Sequence, residues 1–238
     1  MKVLGYNIST VYPCIPSDKK IIINTINPHS FCVAKTDKNF QKALLNSDIL
    51  IPDGIGIVWA TKVLANKKIE KIAGYDIFLH LLKQINSTCG SCFFLGASEK
   101  TLALISNRIS REFPNVSVLT YSPPYKATFS EEDSKHMYEA VNQVKPDVLF
   151  VGMTAPKQEK WVYHYQEYLD AKVICSIGAV FDFYAGTVKR PSKFWINMGL
   201  EWLPRFLKEP RRLAERNLIS TPKFILEVLK TKAKARKS

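Results

Sequence analysis

Short apolar runs that alternate with helical patterns constrain the fold of this chain more than any other feature. Six runs read as strands, and they cover residues 20–25, 47–51, 92–96, 116–121, 147–152 and 172–177. Between them, apolar residues recur at helical spacing. Apolar strands alternating with helices form parallel sheets whose two faces are both covered. The sequence therefore predicts an α/β fold with a Rossmann-like, mostly parallel sheet flanked by helices.

Basic residues are concentrated near the C-terminus. Residues 189–238 hold 14 of the 34 Lys and Arg residues but 4 of the 21 Asp and Glu residues, so this stretch carries +10 of the net charge of +13. Strand patterns also disappear from Pro191 onward. We therefore predict an α/β domain over residues 1–190 and a basic helical appendage over residues 191–238. Such an appendage is typical of proteins that meet phosphate, in an anionic membrane or in nucleic acid.

Apolar segments and cysteines indicate the compartment. The sequence has no run of signal-peptide type and no uncharged apolar segment of 18 residues, which predicts a cytoplasmic protein that does not span a membrane. The five scattered cysteines predict free thiols. The sequence contains neither a His or Cys cluster nor an Asp-x-Asp pair that would suggest a metal site. Neither a metal nor another cofactor is therefore expected.

The loop after the strand at residues 47–51 carries one carboxylate, Asp53. Pro52 cannot donate to a sheet, while Gly54 and Gly56 allow backbone angles and close approaches that a side chain blocks. Ligands bind at the carboxyl ends of parallel strands, so Asp53 is a candidate for chemistry. The alternative is that it only caps the following helix.

Other predicted strands also end in polar or glycine-rich loops, which a parallel sheet brings to one edge. Gly96 and Ser98 open a helix whose backbone N–H groups suit a phosphate. Lys157 can pair with phosphate, and the Gln158 amide offers donors and an acceptor. Tyr125 can stack on a base or sugar, although a packed surface turn explains it equally well. Without a GxGxxG or GxxxxGK[ST] motif, NAD and ATP chemistry are not expected.

Six ordered blocks of residues resemble one family. They are Thr25-x-Asn27-Pro28, Pro52-Asp53-Gly54-Ile55-Gly56, Ala73-Gly74-Tyr75-Asp76, Gly152-x-x-x-Pro156-Lys157-Gln158-Glu159, Gly178-Ala-x-Phe-Asp182-Phe-x-Ala-Gly186, and Gly199-Leu-Glu-Trp-Leu203 through Glu209-Pro-Arg-Arg-Leu213. The order is similar to that of the bacterial N-acetylmannosaminyltransferases, the WecG/TagA/CpsF glycosyltransferase family. The resemblance implies an inverting, metal-free transfer of a sugar from a UDP donor to an undecaprenyl-diphosphate-linked sugar. The protein would act peripherally on the inner face of the cell membrane, in teichoic acid, common antigen or exopolysaccharide synthesis.

The resemblance also assigns roles to residues. Asp53 falls where the family has its proposed general base. The expected substrate contacts are Thr25, Asn27, Gly54, Gln158 and Asp182, together with Lys71, which replaces an arginine found in many members and loses its bidentate geometry. The expected contacts to the lipid diphosphate are Arg205, Arg211, Arg212 and Arg216. Lys71, the helix start at residues 96–98 and these arginines would stabilise the charge on the leaving UDP.

The apolar residues near the end of the chain predict a membrane contact. Phe224, Ile225, Val228 and Leu229 fall on one helical face with lysines around them, as in helices that lie in a membrane interface. The alternative is that this face packs on the domain.

Two other functions stay open. The same fold can use another UDP sugar, such as a glucose, glucuronate or N-acetylmannosaminuronate donor, or the chain is a non-enzymatic basic protein that binds nucleic acid or membrane. The basic segment has no nucleic-acid recognition motif, so no nucleic-acid partner is predicted. A homo-oligomer is compatible with the sequence.

Overall fold

A six-stranded parallel sheet forms the centre of the protein. The computed structural model describes residues 1–198 and 200–235, with all their side chains except those of residues 193, 197, 205, 208 and 212. Its strands are β1 (Lys2–Val3), β2 (Tyr6–Asn7), β3 (Ile21–Ile26), β4 (Ile49–Pro52), β5 (Ser91–Gly96), β6 (Ser117–Tyr121), β7 (Val148–Gly152) and β8 (Val173–Ser176). Strands β3 to β8 form the parallel sheet in the order β4-β3-β8-β7-β5-β6, while β1 and β2 form a small antiparallel pair. The predicted α/β class is confirmed, and the β1–β2 pair is an addition to it.

Twelve α-helices connect and cover the strands in the described part of the chain. They are α1 (Pro28–Thr36), α2 (Lys38–Leu45), α3 (Ile55–Ala65), α4 (Gly74–Ser87), α5 (Glu99–Glu112), α6 (Glu131–Asn142), α7 (Lys157–Tyr165), α8 (Gly178–Ala185), α9 (Lys193–Asn197), α10 (Trp202–Lys208), α11 (Pro210–Ala214) and α12 (Thr221–Ala235). A 3-10 turn at Gln166–Tyr168 follows α7, and a π-helix at Glu215–Ser220 joins α11 to α12. Described residues beyond 191 are helical wherever they are regular, as predicted.

Local sequence signals start several of these helices. Asn27 caps α1 by accepting the N–H groups of His29 and Ser30, with Pro28 at the first helical position. Ser130 opens α6 with a reciprocal capping box to Asp133. Each cap satisfies N–H groups that have no partner inside the helix. Both helix starts therefore depend on residues within one turn of the cap.

Both faces of the sheet are buried along β3, β4, β5, β7 and β8, in agreement with their apolar sequences, whereas the edge strand β6 is partly exposed. Alternate residues point to opposite faces. On one face Phe94 and Phe150 pack against Phe78 of α4, with ring centroids 6.0 and 5.0 Å from it. On the other face Ile22 and Ile174 belong to a cluster with residues of α6 and α7. Burying a large apolar side chain stabilises by roughly 1.5–3 kcal/mol, so these two layers hold the strand order in place.

The last helix packs directly on the α/β body. Phe224 and Val228 of α12 are fully buried in a cluster with residues of α1 and α3, and Phe224 meets Phe31 edge to face at 5.3 Å. Ile225 and Leu229 are 39% and 49% exposed. The prediction that these four residues form one face toward a membrane is therefore wrong, because two of them fill the core. Within the described ranges, no helix combines the length and apolar character needed to cross a bilayer.

All five cysteines carry free thiols, as predicted.

Candidate functional site

Asp53 lies at the carboxyl end of β4, next to the end of β3. Its backbone N–H donates to the Ile26 carbonyl at 2.9 Å, which ties the two strand ends together. The N-cap of α3 is Gly54, which adopts a positive φ of 95° that favours glycine. Asp53 is therefore one residue outside the cap position, and its half-exposed side chain lies at the edge where ligands bind in such sheets.

The starts of α1 and α3 meet beside Asp53. A Cβ at Gly56 would lie 2.5 Å from the Pro28 ring, so only glycine permits this approach. Thr25 is half-buried on β3, and its register partner on β4 is Ile51. The Asn27 Oδ1 accepts two N–H groups of α1, at 3.0 Å each, so this atom is used as a cap. Thr25, Asn27, Asp53 and Gly54 thus share one corner of the edge.

A segment before α4 brings Lys71 to the same corner. The Ile72 N–H donates to the Pro52 carbonyl at 3.4 Å, so the segment passes the end of β4. The Lys71 ammonium lies 3.0 Å from the Glu201 carboxylate, and the two side chains are 18% and 24% exposed. This ion pair joins the residues before α10 to the α/β body next to Asp53.

Arg190 is part of the same ionic group, although it is not among the site residues predicted from the sequence. Its guanidinium lies 4.3 Å from the Tyr75 ring centroid, 3.5 Å from the Asp76 carboxylate and 4.0 Å from Glu201. Its position between α8 and α9, in a basic run at residues 189–190, is the one sequence signal that pointed here. Lys71 and Arg190 together give this corner two cations that are partly shielded from water.

The loops after β7 and β8 are held together by one amide. Gln158 is 4% exposed, and its Oε1 accepts the backbone N–H groups of Met153 and Gly178, both at 3.1 Å. Its Nε2 donates to Oε1 of Glu159 at 2.9 Å. A Cβ at Gly178 would overlap the Met153 carbonyl oxygen, so these loops require glycine at that position. The buried Gln158 side chain therefore holds the loops after β7 and β8 together at the middle of the edge.

Glu159 is a buried carboxyl group that the sequence analysis left without a role. It is 3% exposed, and its Oε2 has no hydrogen-bond partner among the described residues. Burial raises the pKa of Glu159 from 4.5 to about 7, and the hydrogen bond from Gln158 opposes this only in part.

The start of α5 uses some of the N–H groups that were expected to face a phosphate. The Ala97 N–H donates to the Gly152 carbonyl at 3.1 Å, and the Ser98 hydroxyl accepts the Thr101 N–H at 3.3 Å. Gly96 has a φ of 119°, and a Cβ there would overlap the Gly152 carbonyl. Ser98 itself stays exposed at the edge.

Three further predicted residues follow other strands of the sheet: Tyr125 follows β6, Lys157 begins α7 after β7, and Asp182 lies on α8 after β8. The Lys157 ammonium bonds to the Lys126 carbonyl and lies 3.6 Å from the Phe129 ring centroid, and burial lowers the pKa of Lys157. Tyr125 is fully exposed. Asp182 is exposed and accepts the Thr187 hydroxyl at 3.3 Å.

The C-terminal arginines are described in part. The side chains of Arg205 and Arg212 lie outside the described residues, while Arg211 is exposed on α11 and Arg216 is half-exposed in the π-helix. Burial, reinforced by the charge of Arg216, lowers the pKa of His29. The His29 Nδ1 lies 2.9 Å from the Ser220 hydroxyl, so the π-helix rests on the first turn of α1.

Metal ligands do not gather at this edge. Among residues 1–198 and 200–235, no three His, Cys, Asp or Glu side chains are placed to hold a metal ion.

A parallel α/β sheet with polar loops and a carboxylate at its carboxyl edge defines the class of Rossmann-like enzymes that bind ligands at this edge. Within that class, residues 6–238 match the glycosyl transferase WecG/TagA/CpsF family, and the chain belongs to it. The predicted family is confirmed, and the chain is a glycosyltransferase.

Curated relatives share nearly the whole chain. An N-acetylglucosaminyldiphosphoundecaprenol N-acetyl-beta-D-mannosaminyltransferase of Bacillus subtilis is 33% identical over 215 residues, which cover 90% of this chain and 81% of the relative. The protein of the same name from Bacillus spizizenii is 31% identical, with coverages of 94% and 84%. One from Staphylococcus aureus is 25% identical, with coverages of 98% and 88%.

Proposed function

We propose that the protein transfers N-acetylmannosamine from a UDP donor to N-acetylglucosaminyl-diphosphoundecaprenol, with inversion at the anomeric carbon and with Asp53 as general base. The names of the relatives support the sugar and the acceptor. The observation that carries the base is the position of Asp53. It is a half-exposed carboxylate at the carboxyl end of β4, outside the cap of α3 and beside the segment that carries Lys71.

The transfer needs one proton acceptor and a way to stabilise the leaving group. An acceptor hydroxyl attacks the anomeric carbon, its proton passes to the Asp53 carboxylate, and the bond from that carbon to the UDP oxygen breaks. Positive groups near the diphosphate lower the energy of the charge that develops on it. Lys71 precedes Ile72, whose N–H donates to the carbonyl of Pro52, the residue before Asp53.

The strand order supports a donor that lies along the edge. Neighbouring strands are about 4.8 Å apart, so β8 is roughly 10 Å and β5 roughly 19 Å from β4. The diphosphate is bonded to the reacting carbon and must lie within a few ångströms of it. We therefore place the diphosphate near Lys71 and the ends of β3 and β8, and the nucleoside toward Gly96, Ser98 and Tyr125.

We assign the acceptor side to the basic segment at residues 191–238. The π-helix contacts the first turn of α1, so Arg216 lies near the edge that carries Asp53. Arg205, Arg211 and Arg212 are expected to add to this charge over the lipid diphosphate. Exposed apolar residues and lysines of α12 would hold the protein peripherally on the anionic inner face of the membrane.

The test is UDP release from a panel of UDP sugars in EDTA, with and without a short-chain polyprenyl-diphosphate N-acetylglucosamine. We expect turnover with UDP-N-acetylmannosamine only when the acceptor is present. Asp53→Asn should lower kcat by about 10²–10⁴-fold, since a general base contributes that much.

Asp170→Asn is the matched control. Asp170 is an exposed carboxylate paired with Lys145 at 2.9 Å, just before β8 and thus at the opposite edge of the sheet. Its variant should keep the wild-type rate. Turnover with a UDP-glucose, UDP-glucuronate or UDP-N-acetylmannosaminuronate donor instead would replace the proposed sugar. An Asp53→Asn variant as active as the control would remove the proposed base.

A further inference from the structure

The Gln158 amide has only one orientation that satisfies its neighbours. Two backbone N–H groups, of Met153 and Gly178, point at one atom of the amide at 3.1 Å each, so this atom must be the oxygen. The nitrogen must then face Glu159, at 2.9 Å from its Oε1. The carboxyl group of Glu159 thus accepts the hydrogen bond from the Gln158 nitrogen and fixes the orientation of the amide.

The amide links two loops that lie next to each other at the middle of the edge. Met153 follows β7 and Gly178 begins α8 after β8, and β7 and β8 are neighbours in the sheet. In the order of strands, β3 lies between β8 and the Asp53 loop. The Met153 and Gly178 loops therefore border the region to which we assign the donor diphosphate, and the distance between the loops affects the shape of that region.

The helix that carries Glu159 covers a face of the sheet with two buried polar side chains. Asn24 and Ser176 follow Ile23 and Cys175, which are register partners on β3 and β8. Their side chains lie on the face covered by α7, the helix that carries Glu159. Asn24 Oδ1, Ser176 Oγ and Glu159 Oε2 are all buried without a hydrogen-bond partner among the described residues. Burying a polar atom without a hydrogen bond costs free energy that an apolar residue at the same position would avoid. The presence of a carboxyl group at position 159 therefore suggests that it has a function.

We propose, on the basis of the function proposed above, that Glu159 is a positioning residue for donor binding. Its Oε1 fixes the Gln158 amide, and Gln158 in turn fixes the β7 and β8 loops that the donor contacts. Loss of the acceptor leaves the buried Gln158 Nε2 unpaired, so the amide turns or shifts and releases the two backbone N–H groups. Glu159 acts only through Gln158 and does not touch the substrate.

The experiment compares Glu159→Leu with Glu159→Gln. Leu fills a similar volume without an acceptor, whereas Gln keeps an oxygen that can accept from Gln158. Glu159→Met is a second apolar replacement in case the Leu variant does not fold. Glu139→Gln is the control, because Glu139 is an exposed carboxylate on α6 that faces Lys135 at 3.8 Å.

Two measurements are made on the full chain. The first is kcat and KM for UDP-N-acetylmannosamine with the short-chain acceptor, and the second is hydrogen exchange of the Met153 and Gly178 amides. For the apolar variants we expect KM to rise about tenfold with kcat within about threefold, and exchange at both amides to accelerate at least tenfold; lost hydrogen bonds to buried groups have effects of this size. The Gln variant and the control should keep both values within about twofold.

The outcomes separate this inference from the proposed function. If the wild type turns over this donor but the apolar variants keep its KM and its exchange rates, the function stands and the positioning role is wrong. The role is equally wrong if the Gln variant is as impaired as the Leu variant, or if only the thermal midpoint changes. If the wild type transfers no sugar, the proposed function fails and the positioning role with it, whatever the exchange rates.

Discussion

Two carboxyl groups near the carboxyl edge of the sheet have contrasting surroundings. Asp53 is half-exposed on a loop, while Glu159 is almost completely buried in the first turn of α7. A general base for a lipid-linked hydroxyl has to be reachable by its substrate, so Asp53 suits that task. Glu159 suits a supporting task, since burial favours its protonated form.

Glu159 should make the stability of the fold depend on pH. Its pKa is 4.5 in the unfolded chain and about 7 in the folded protein, so the folded state binds more protons between these values. Stability is therefore lost as pH rises through this window, and the loss is complete above about pH 7. The Glu159→Gln variant lacks this titrating group and should not lose stability in this way. The difference in unfolding free energy, variant minus wild type, should therefore rise by about 2 kcal/mol from pH 5 to pH 8.

Urea denaturation of both proteins at pH 5 and pH 8 measures this difference. Glu139→Gln serves again as the control, because it makes the same chemical change at an exposed position on α6. A constant difference between Glu159→Gln and wild type would show that the carboxyl group titrates alike in the folded and unfolded states.

At the scale of single residues, the sequence predicts what is local. Asn27 and Ser130 act within their own helix turn, so their caps could be recognised from neighbouring residues. Lys71 and Glu201 meet although they are 130 residues apart in the chain, and Gln158 bonds to Met153 and Gly178 in two different loops. No spacing along the chain encodes those contacts, since they depend on how distant elements pack.

Helix starts at the edge are held by glycines, and two of them form a matched pair. Gly178 and Gly74 are the first residues of α8 and α4. A Cβ at Gly178 would overlap the Met153 carbonyl, whereas one at Gly74 would meet Ile177 at an ordinary 3.4 Å. Gly178→Ala should cost at least about 2 kcal/mol of unfolding free energy, since the obstacle is backbone. Gly74→Ala should change it by less than about 0.5 kcal/mol.

Thermal and urea unfolding of the two variants check this expectation. Equal losses for both would mean that the β7 loop shifts freely to make room for a side chain. Such freedom would also weaken the idea that Gln158 holds the β7 and β8 loops at a fixed distance.

At the scale of elements, the alternating pattern predicts the number and class of the sheet strands but not their order. Each strand is apolar on both faces, which indicates burial without naming its neighbours. The pair β1 and β2 escaped prediction because two-residue strands leave no periodicity to detect. The sequence of α12 is limited in the same way. The spacing of its apolar residues predicts a helix but does not tell which of them face the core.

For the whole molecule, several contacts bind the basic segment to the α/β body. They include the Lys71–Glu201 ion pair beside Asp53, the contact of His29 with Ser220, and the burial of α12 against α1 and α3. The proposed membrane contact and the proposed base therefore belong to one connected structure. A surface that attracts an anionic membrane would bring the diphosphate of the proposed acceptor to the edge that carries Asp53. The expected division at residue 190 stays a prediction.

The burial pattern of α12 separates the residues that hold the fold from those free to meet a membrane. Ile225 and Leu229 are 39% and 49% exposed, whereas Val228 is fully buried. Burying one large apolar side chain in a lipid interface contributes roughly 1.5–3 kcal/mol. The double variant Ile225→Ser, Leu229→Ser should therefore bind anionic vesicles at least about tenfold more weakly, with little change in unfolding free energy.

Val228→Ala should show the opposite behaviour. It opens a cavity in the core and should cost about 2 kcal/mol of unfolding free energy, yet leave vesicle affinity unchanged while the protein is folded. Co-sedimentation with phosphatidylglycerol vesicles, with neutral vesicles alongside, and urea unfolding measure the two quantities. Vesicle binding by the double variant at wild-type strength would exclude this face of α12 as the contact. Binding that does not weaken as salt rises would instead argue against the lysines of the helix, since charge attraction to an anionic surface is screened by salt.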